Sequence, residues 1–181
     1  MSSDIPTVSE NETSANRIAV NDANLFIDLC EINLVERFFE LPLEFHTTQP
    51  ISNELEQEQL QRLVPFITQQ QLSVRHLTQS EIDNLASIST QSRKLSREDL
   101  SVYFYARELD NCMILTEDNR LRKEAQRQGF EVHGILWVFE QLVQNQILNL
   151  SGAVSKLREL MSINIWLPIG ECEKMIEKWE N

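Results

Sequence analysis

Glycine is scarce in this 181-residue chain: four residues, at positions 129, 134, 152 and 170. None lies in a G-x-G-x-x-G run or a P-loop, which excludes a glycine-lined nucleotide cradle. No G-x-S-x-G elbow occurs either, so the local setting of a Ser-His-Asp hydrolase is missing. The three histidines, His46, His76 and His133, stand far apart and read as strand or core residues rather than ligands. Cys30, Cys112 and Cys172 are scattered and odd in number. That argues against a disulfide framework or a zinc site and fits reduced thiols in a cytoplasmic protein. Long apolar runs are missing too. Stretches such as 135–139 are far too short to span a bilayer, and no basic n-region followed by an apolar stretch opens the chain.

Positive charge is also in deficit. The formal net charge is −12, which speaks against generic nucleic-acid binding by phosphate neutralisation. The distribution is uneven, however. Residues 91–130 carry eight of the sixteen basic residues, among them Arg93, Lys94, Arg97, Arg120 and Lys123, against seven acids. A local basic surface on an acidic protein is compatible with this pattern, as is an ordinary solvated helix face.

Hydrophobic periodicity organises the rest. Residues 1–15 are polar and without periodicity, and read as a disordered acidic tail. "RIAV" begins the order as a short strand ending at Asn21-Asp22. A helical pattern follows from Ala23 to about residue 41. "LEFHTT" reads as a second strand broken by Pro50, then a helix after Ser52, whose hydroxyl can cap it. "LSVRHL", "NCMILT" and "FEVHGI" read as further strands separated by helices. Gly129 is placed to stop the helix that follows the fourth strand, and only helical patterns follow residue 136. Strands alternating with helices predict an α/β protein: a three-layer α/β/α sandwich around a mainly parallel sheet of about five strands, plus C-terminal helices.

Ligands of such sheets bind outside the carboxyl ends of the strands. Acids stand there repeatedly: Asp22 after the first strand, Glu54 after the second, and Glu117 and Asp118 after the fourth. Asp99 opens the helix before that strand. It shares a helical face with Val102, Tyr103, Ala106 and Leu109, and so should face inward. Each acid alone is explained by helix capping: Asp22 for the first helix, Asp118 for the helix from 119, Asp99 in a Ser96-x-x-Asp99 box. Together they form a self-repelling set unless a cation sits among them. An all-oxygen set suits Mg²⁺ or Mn²⁺.

"IAVNDANLFIDL", "QPISNELE", "LSREDLSVYFYARELDNCMILTEDNRLRKEA" and "GFEVHGILWVFEQLV", in that order, resemble the PIN-domain nucleases over about residues 17–141. Asp22 and Asn24 match the Asp-x-Asn opening, Glu54 the helix-borne glutamate, Asp99 and Ala106 the acid seven residues before an alanine, Thr116 and Asp118 the Thr-x-Asp. The resemblance implies a metal-dependent endoribonuclease, of the kind found as the toxin of toxin–antitoxin pairs. Asp22, Glu54, Asp99 and Asp118 would hold Mg²⁺ or Mn²⁺. Asn24 and Thr116 would orient water or phosphate, with Glu98 and Glu117 as neighbouring substitutes. Arg93, Lys94, Arg97, Arg120 and Lys123 are the residues expected to meet RNA. An antitoxin protein and a homodimer are the other partners implied. The expected layout is a tail at 1–15, a PIN-like domain at 16–141 and a helical extension at 142–181 packed on it. An alternative reading keeps the fold without the chemistry: a silent module that binds a protein or RNA partner. A phospho-accepting receiver domain, which also carries acids at strand ends, lacks here its lysine after the fifth strand.

Overall fold

The structure, a computed structural model, describes residues 16–92 and 95–181. The expected N-terminal tail and the expected RNA contacts Arg93 and Lys94 lie outside the described residues. Strands β1 (Arg17–Asn21), β2 (Leu43–Thr48), β3 (Leu72–Arg75), β4 (Cys112–Leu115) and β5 (Glu131–His133) form one sheet in the order β3-β2-β1-β4-β5. Every neighbouring pair is parallel. The chain therefore winds outward from β1 to β3, crosses back over β1, and winds outward again through β4 and β5.

Right-handed crossovers put the helices of the two halves on opposite faces. α1 (Ala23–Glu31), α2 (Val35–Phe38) and α4 (Gln57–Thr68) belong to the first half, where α1 touches both α2 and α4. α3 (Gln49–Glu54) follows β2 directly. α5 (Gln79–Ser92), α6 (Arg97–Glu108) and α7 (Asn119–Arg127) belong to the second half. Among these α6 lies against β1, β2 and β4, with α5 and α7 on its sides. α8 (Ile135–Gln144) returns to α2, and α9 (Leu150–Ile163) and α10 (Ile169–Glu180) stack on it in turn. The α/β/α sandwich with added C-terminal helices is thus the architecture observed.

Two local expectations are corrected. The first helical pattern does not run unbroken to residue 41: Asn33 takes a left-handed φ of 54°, and the amide of Leu34 closes back on the Leu29 carbonyl at 2.9 Å. Asparagine tolerates that conformation better than most residues, so the chain turns and α2 starts afresh. This turn lets Phe38 reach Phe26, Phe39 and Phe45, while Phe39 stacks on Phe66 at 4.0 Å. Pro50 follows the end of β2 at Thr48, as expected, and sits in the first turn of α3, where its missing N–H costs nothing. Ser52 does not cap; its hydroxyl donates to the Thr48 carbonyl, and the next helix is capped by the reciprocal pair Glu56 and Gln59. Glu54 therefore ends a short helix rather than opening a long one. Gly129 behaves as expected, ending α7 with a φ of 88° that side-chain-bearing residues resist.

The C-terminal helices share the main core: Leu157, Leu160 and Cys172 are fully buried, and Trp179 packs beside Phe139 at 6.4 Å between centroids. Replacing Trp179 by alanine is expected to lower global stability by about 3–5 kcal/mol in a single transition. Chemical denaturation followed by circular dichroism checks this; an unchanged midpoint would mean that α10 unfolds separately.

Candidate active site

The winding of the sheet places β1 and β4 side by side while their following loops diverge to opposite faces, opening a crevice at their carboxyl ends. Asn21 pairs with Leu115 as the last rung, and the Asp22 amide donates to the Leu115 carbonyl at 3.0 Å. Asp22 and Thr116 thus stand next to each other at the tip. Asp22 is only 3% exposed. One carboxylate oxygen accepts the Ala23 amide at 2.8 Å and the other accepts the Thr116 hydroxyl at 2.7 Å. Thr116 Oγ1 accepts in turn from the Asp118 amide at 3.0 Å. One hydroxyl ties the acid of β1 to the loop after β4.

Asp118 caps α7 with a single oxygen, Oδ1, which accepts the amides of Arg120 and Leu121 at 2.7 and 2.8 Å. Asp99 closes the capping box of α6 with Ser96 through its Oδ2. All three capping roles are therefore real. Two of the three leave an oxygen over: Oδ2 of Asp118 and Oδ1 of Asp99 accept no hydrogen bond among the described residues. None of Asp22, Glu54, Asp99 and Asp118 makes an ion pair there either.

The electrostatics show that these acids share one neighbourhood. Burial pushes the Asp22 carboxyl up to about 6; the Thr116 and Ala23 hydrogen bonds pull it down, while Asp99 and Asp118 add repulsion. Desolvation also raises Asp99, with Asp118 and Glu98 adding to it. Glu54 is pushed up to about 7, first by desolvation, then by Glu98, Asp22 and Asp99, against a partial pull from Arg97. The residue as a whole is exposed. Like-charge crowding is thus the firmer part of its shift.

The neighbouring acids have partners of their own. Glu98 is half-buried, pairs with Arg97 at 2.8 Å, and adds repulsion to both Glu54 and Asp99. Glu117 turns away and accepts the Ile135 amide at the start of α8. A Cβ on Gly134 would collide with that carboxylate, so the glycine is what admits it. Thr116 is fully buried with its hydroxyl committed to Asp22 and Asp118, which fits it to position the acids and not to meet phosphate. Asn24 is exposed on the first turn of α1 and lines a groove with Asp118 and Arg120. Arg97, Arg120 and Lys123 are exposed around the crevice helices.

Among the described residues no three acids, histidines or cysteines close into a ready metal cage. The donor set nevertheless fits a small hard cation: oxygen only, anionic, uncompensated and partly desolvated. Mg²⁺ in particular keeps several waters and needs only one or two carboxylates. Sequence reasoning passed over Asn21, which is fully buried. Its Nδ2 bridges the carbonyls of Ala19 and His46, while its Oδ1 is without a partner among the described residues. An asparagine at the end of an apolar strand was the available signal.

Comparison with known families places a model described as a PIN domain on residues 18–181, so the match includes the C-terminal helices. No curated protein matches the chain.

The raised acids set a pH dependence. A carboxyl whose folded pKa exceeds its unfolded value holds more protons when folded, so it destabilises the fold when ionised. That penalty disappears as pH falls through the folded values of about 6 and about 7 for Asp22 and Glu54. In EDTA the melting temperature is expected to rise between about pH 8 and about pH 5. Asp22→Asn should stabilise the metal-free protein at neutral pH by on the order of 1–3 kcal/mol and flatten the dependence. Thermal melts across that range check both; a parent that loses stability over the same interval would contradict the crowding.

Proposed function

This chain belongs to the PIN-domain family, whose fold is of the nuclease type, and on that footing we propose that it is a metal-dependent endoribonuclease. The observation that carries the reading is a chain of repulsions at the β1–β4 crevice, in which Asp22 and Asp99 each interact with both Glu54 and Asp118, with none of the four acids in an ion pair among the described residues. Asp22, Glu54, Asp99 and Asp118 are the residues that would hold Mg²⁺ or Mn²⁺. Such an ion supplies a water acidic enough to attack a phosphodiester and positive charge opposite the negative charge that develops.

The chain's own residues prepare the rest. Asp22 is locked in one orientation by Ala23 and Thr116, so no side-chain freedom is lost when a cation arrives. Asp99 and Asp118 are fixed at helix amino termini by the oxygen that caps, leaving the other oxygen to point elsewhere. Glu54, pushed up to about 7 by burial and then by the acids around it, is the acid whose ionisation a bound cation would favour most at neutral pH. Arg120 and Lys123 have no ion-pair partner among the described residues and are available to RNA phosphates. Arg97 is already matched by Glu98. A place as the toxin of a toxin–antitoxin pair, action in the cytoplasm and a homodimer belong to the same proposal; among the described residues no helix is long and apolar enough to cross a membrane.

Capping and ligation make opposite forecasts for Asp118→Asn. Asparagine caps about as well as aspartate, so a pure cap predicts no change. The nuclease reading expects the variant to melt higher than the parent in EDTA, since two charges ~5 Å apart at an effective dielectric of ~20 repel by about 3 kcal/mol before solvent screening. With saturating Mn²⁺ the order should reverse. RNA cleavage should fall by about two orders of magnitude. Equal Mn²⁺ shifts for both proteins would leave Asp118 a cap alone and favour the silent-module reading.

Arg120→Ala and Lys123→Ala should each weaken binding across sequences and reduce the salt slope by about one charge. Titrations at several salt concentrations read this directly; slopes identical to the parent's would return both residues to the solvated face.

A further inference from the structure

The turn between α9 and α10 carries the most exposed large apolar side chains described, Ile165 at 78% and Trp166 at 89%. It is not loosely attached. Asn164 Nδ2 donates to both oxygens of Asp28 on α1 at 3.0 and 3.1 Å, and Asn164 Oδ1 accepts the Trp166 amide at 2.9 Å. Asp28 is buried. A buried carboxylate on the helix that Asp22 caps therefore holds the turn in place and presents the indole outward.

Between this turn and the crevice runs a groove of about 600 Å³. Asp118, Asn24 and Arg120 line it at the crevice end, and Ile165 and Trp166 at the other. Amide and carboxylate side chains share its lining with Ile27, Ile163, Ile165 and Trp166, so the groove offers both apolar surface and hydrogen-bonding groups. A nucleobase has that same division, with apolar faces and a polar edge. An amphipathic protein helix would ask for a continuous apolar stripe instead. Arg120 adds positive charge where a backbone phosphate would pass.

We propose that Trp166 is a base-stacking platform for the substrate: a base of single-stranded RNA lies on its indole in this groove, one or a few nucleotides from the phosphodiester at the acid crevice. The proposal rests on the nuclease reading and adds to it a positioning residue outside the acid set. Stacking on an aromatic side chain tolerates any base, so Trp166 sets where the strand lies and not which sequence is chosen.

The test uses the full chain carrying Asp99→Asn to suppress cleavage, and a short fluorescein-labelled single-stranded RNA of mixed sequence followed by anisotropy. Adding Trp166→Ala should weaken binding about tenfold, and Trp166→Phe should restore most of it. An abasic nucleotide moved along the RNA should weaken binding at one position with Trp166 present and at none with alanine there. In the wild-type background Trp166→Ala should leave the Mn²⁺-induced rise in melting temperature unchanged, which separates the platform from the acids. Equal RNA affinity of the alanine and tryptophan proteins overturns the platform alone. So does conversion of a dimer to a monomer by Trp166→Ala with RNA affinity retained, which would assign the turn to self-association. A wild-type chain that neither binds nor cleaves RNA with Mn²⁺ overturns the nuclease reading and the platform with it.

Discussion

A carboxylate as deeply buried as Asp22 has to be held by hydrogen bonds, and here two partners hold it: the first amide of α1 and the hydroxyl of Thr116. Both follow from strand order. β1 and β4 are sequence-distant neighbours that end on the same rung, so the residue after one strand meets the residue after the other. The Thr116 hydroxyl donates to Asp22 and accepts from the Asp118 amide, which fixes the loop from which Asp118 caps α7. Loss of that hydroxyl would leave a buried acid short of a donor and a loop short of an acceptor. Thr116→Val, though similar in volume, would cost more than its shape suggests.

Capping and ligation looked like rival explanations of the same acids, and the geometry makes them compatible. A cap engages one carboxylate oxygen; ligation needs the other. Asp99 and Asp118 are arranged in this way, each with one oxygen on backbone amides and one without a hydrogen bond among the described residues. Capping therefore contributes the orientation that a cation site needs. It also offsets part of the repulsion, because each helix amino terminus carries partial positive charge. Helix ends make it possible for several acids to converge without basic partners.

The sheet, its parallel sense and most of its helices were legible because apolar runs and helical spacing report burial directly. The strand-tip acids were legible for the same reason: an apolar strand ending in carboxylates places them by topology alone. The misread places are those where one residue decides. Asn33 breaks the first helix through a left-handed φ that many sequences would not adopt, and periodicity carries no trace of it. Ser52 reads as the cap of the helix after the second strand, but its hydroxyl turns back to the Thr48 carbonyl and the cap falls to Glu56 and Gln59. At positions 98/99 and 117/118 the structure shows partners that sequence does not display. Glu98 has Arg97 beside it and Glu117 has the amino end of α8 to accept from. The groove under Trp166 joins α1 to a turn more than a hundred residues later, and no local pattern reports such a contact.

The acidity of the chain bears on all of this. Surface charges more than about 8–10 Å away are screened at physiological salt, so a net charge of −12 says little about the potential at one crevice. Much of the excess stands elsewhere, as in α10, where Glu171, Glu173, Glu177 and Glu180 are all exposed. What governs an approaching phosphate is the local balance: the uncompensated acids against Arg120 and Lys123 on their rim. Without a cation that balance is repulsive, and the same repulsion adds to the burial that raises Asp22 and Glu54. Filling the acid set with divalent charge would reverse its sign. On the nuclease reading proposed above, RNA affinity and metal occupancy would be coupled through one set of carboxylates, and an overall acidic protein would bind a polyanion at a crevice lined by acids.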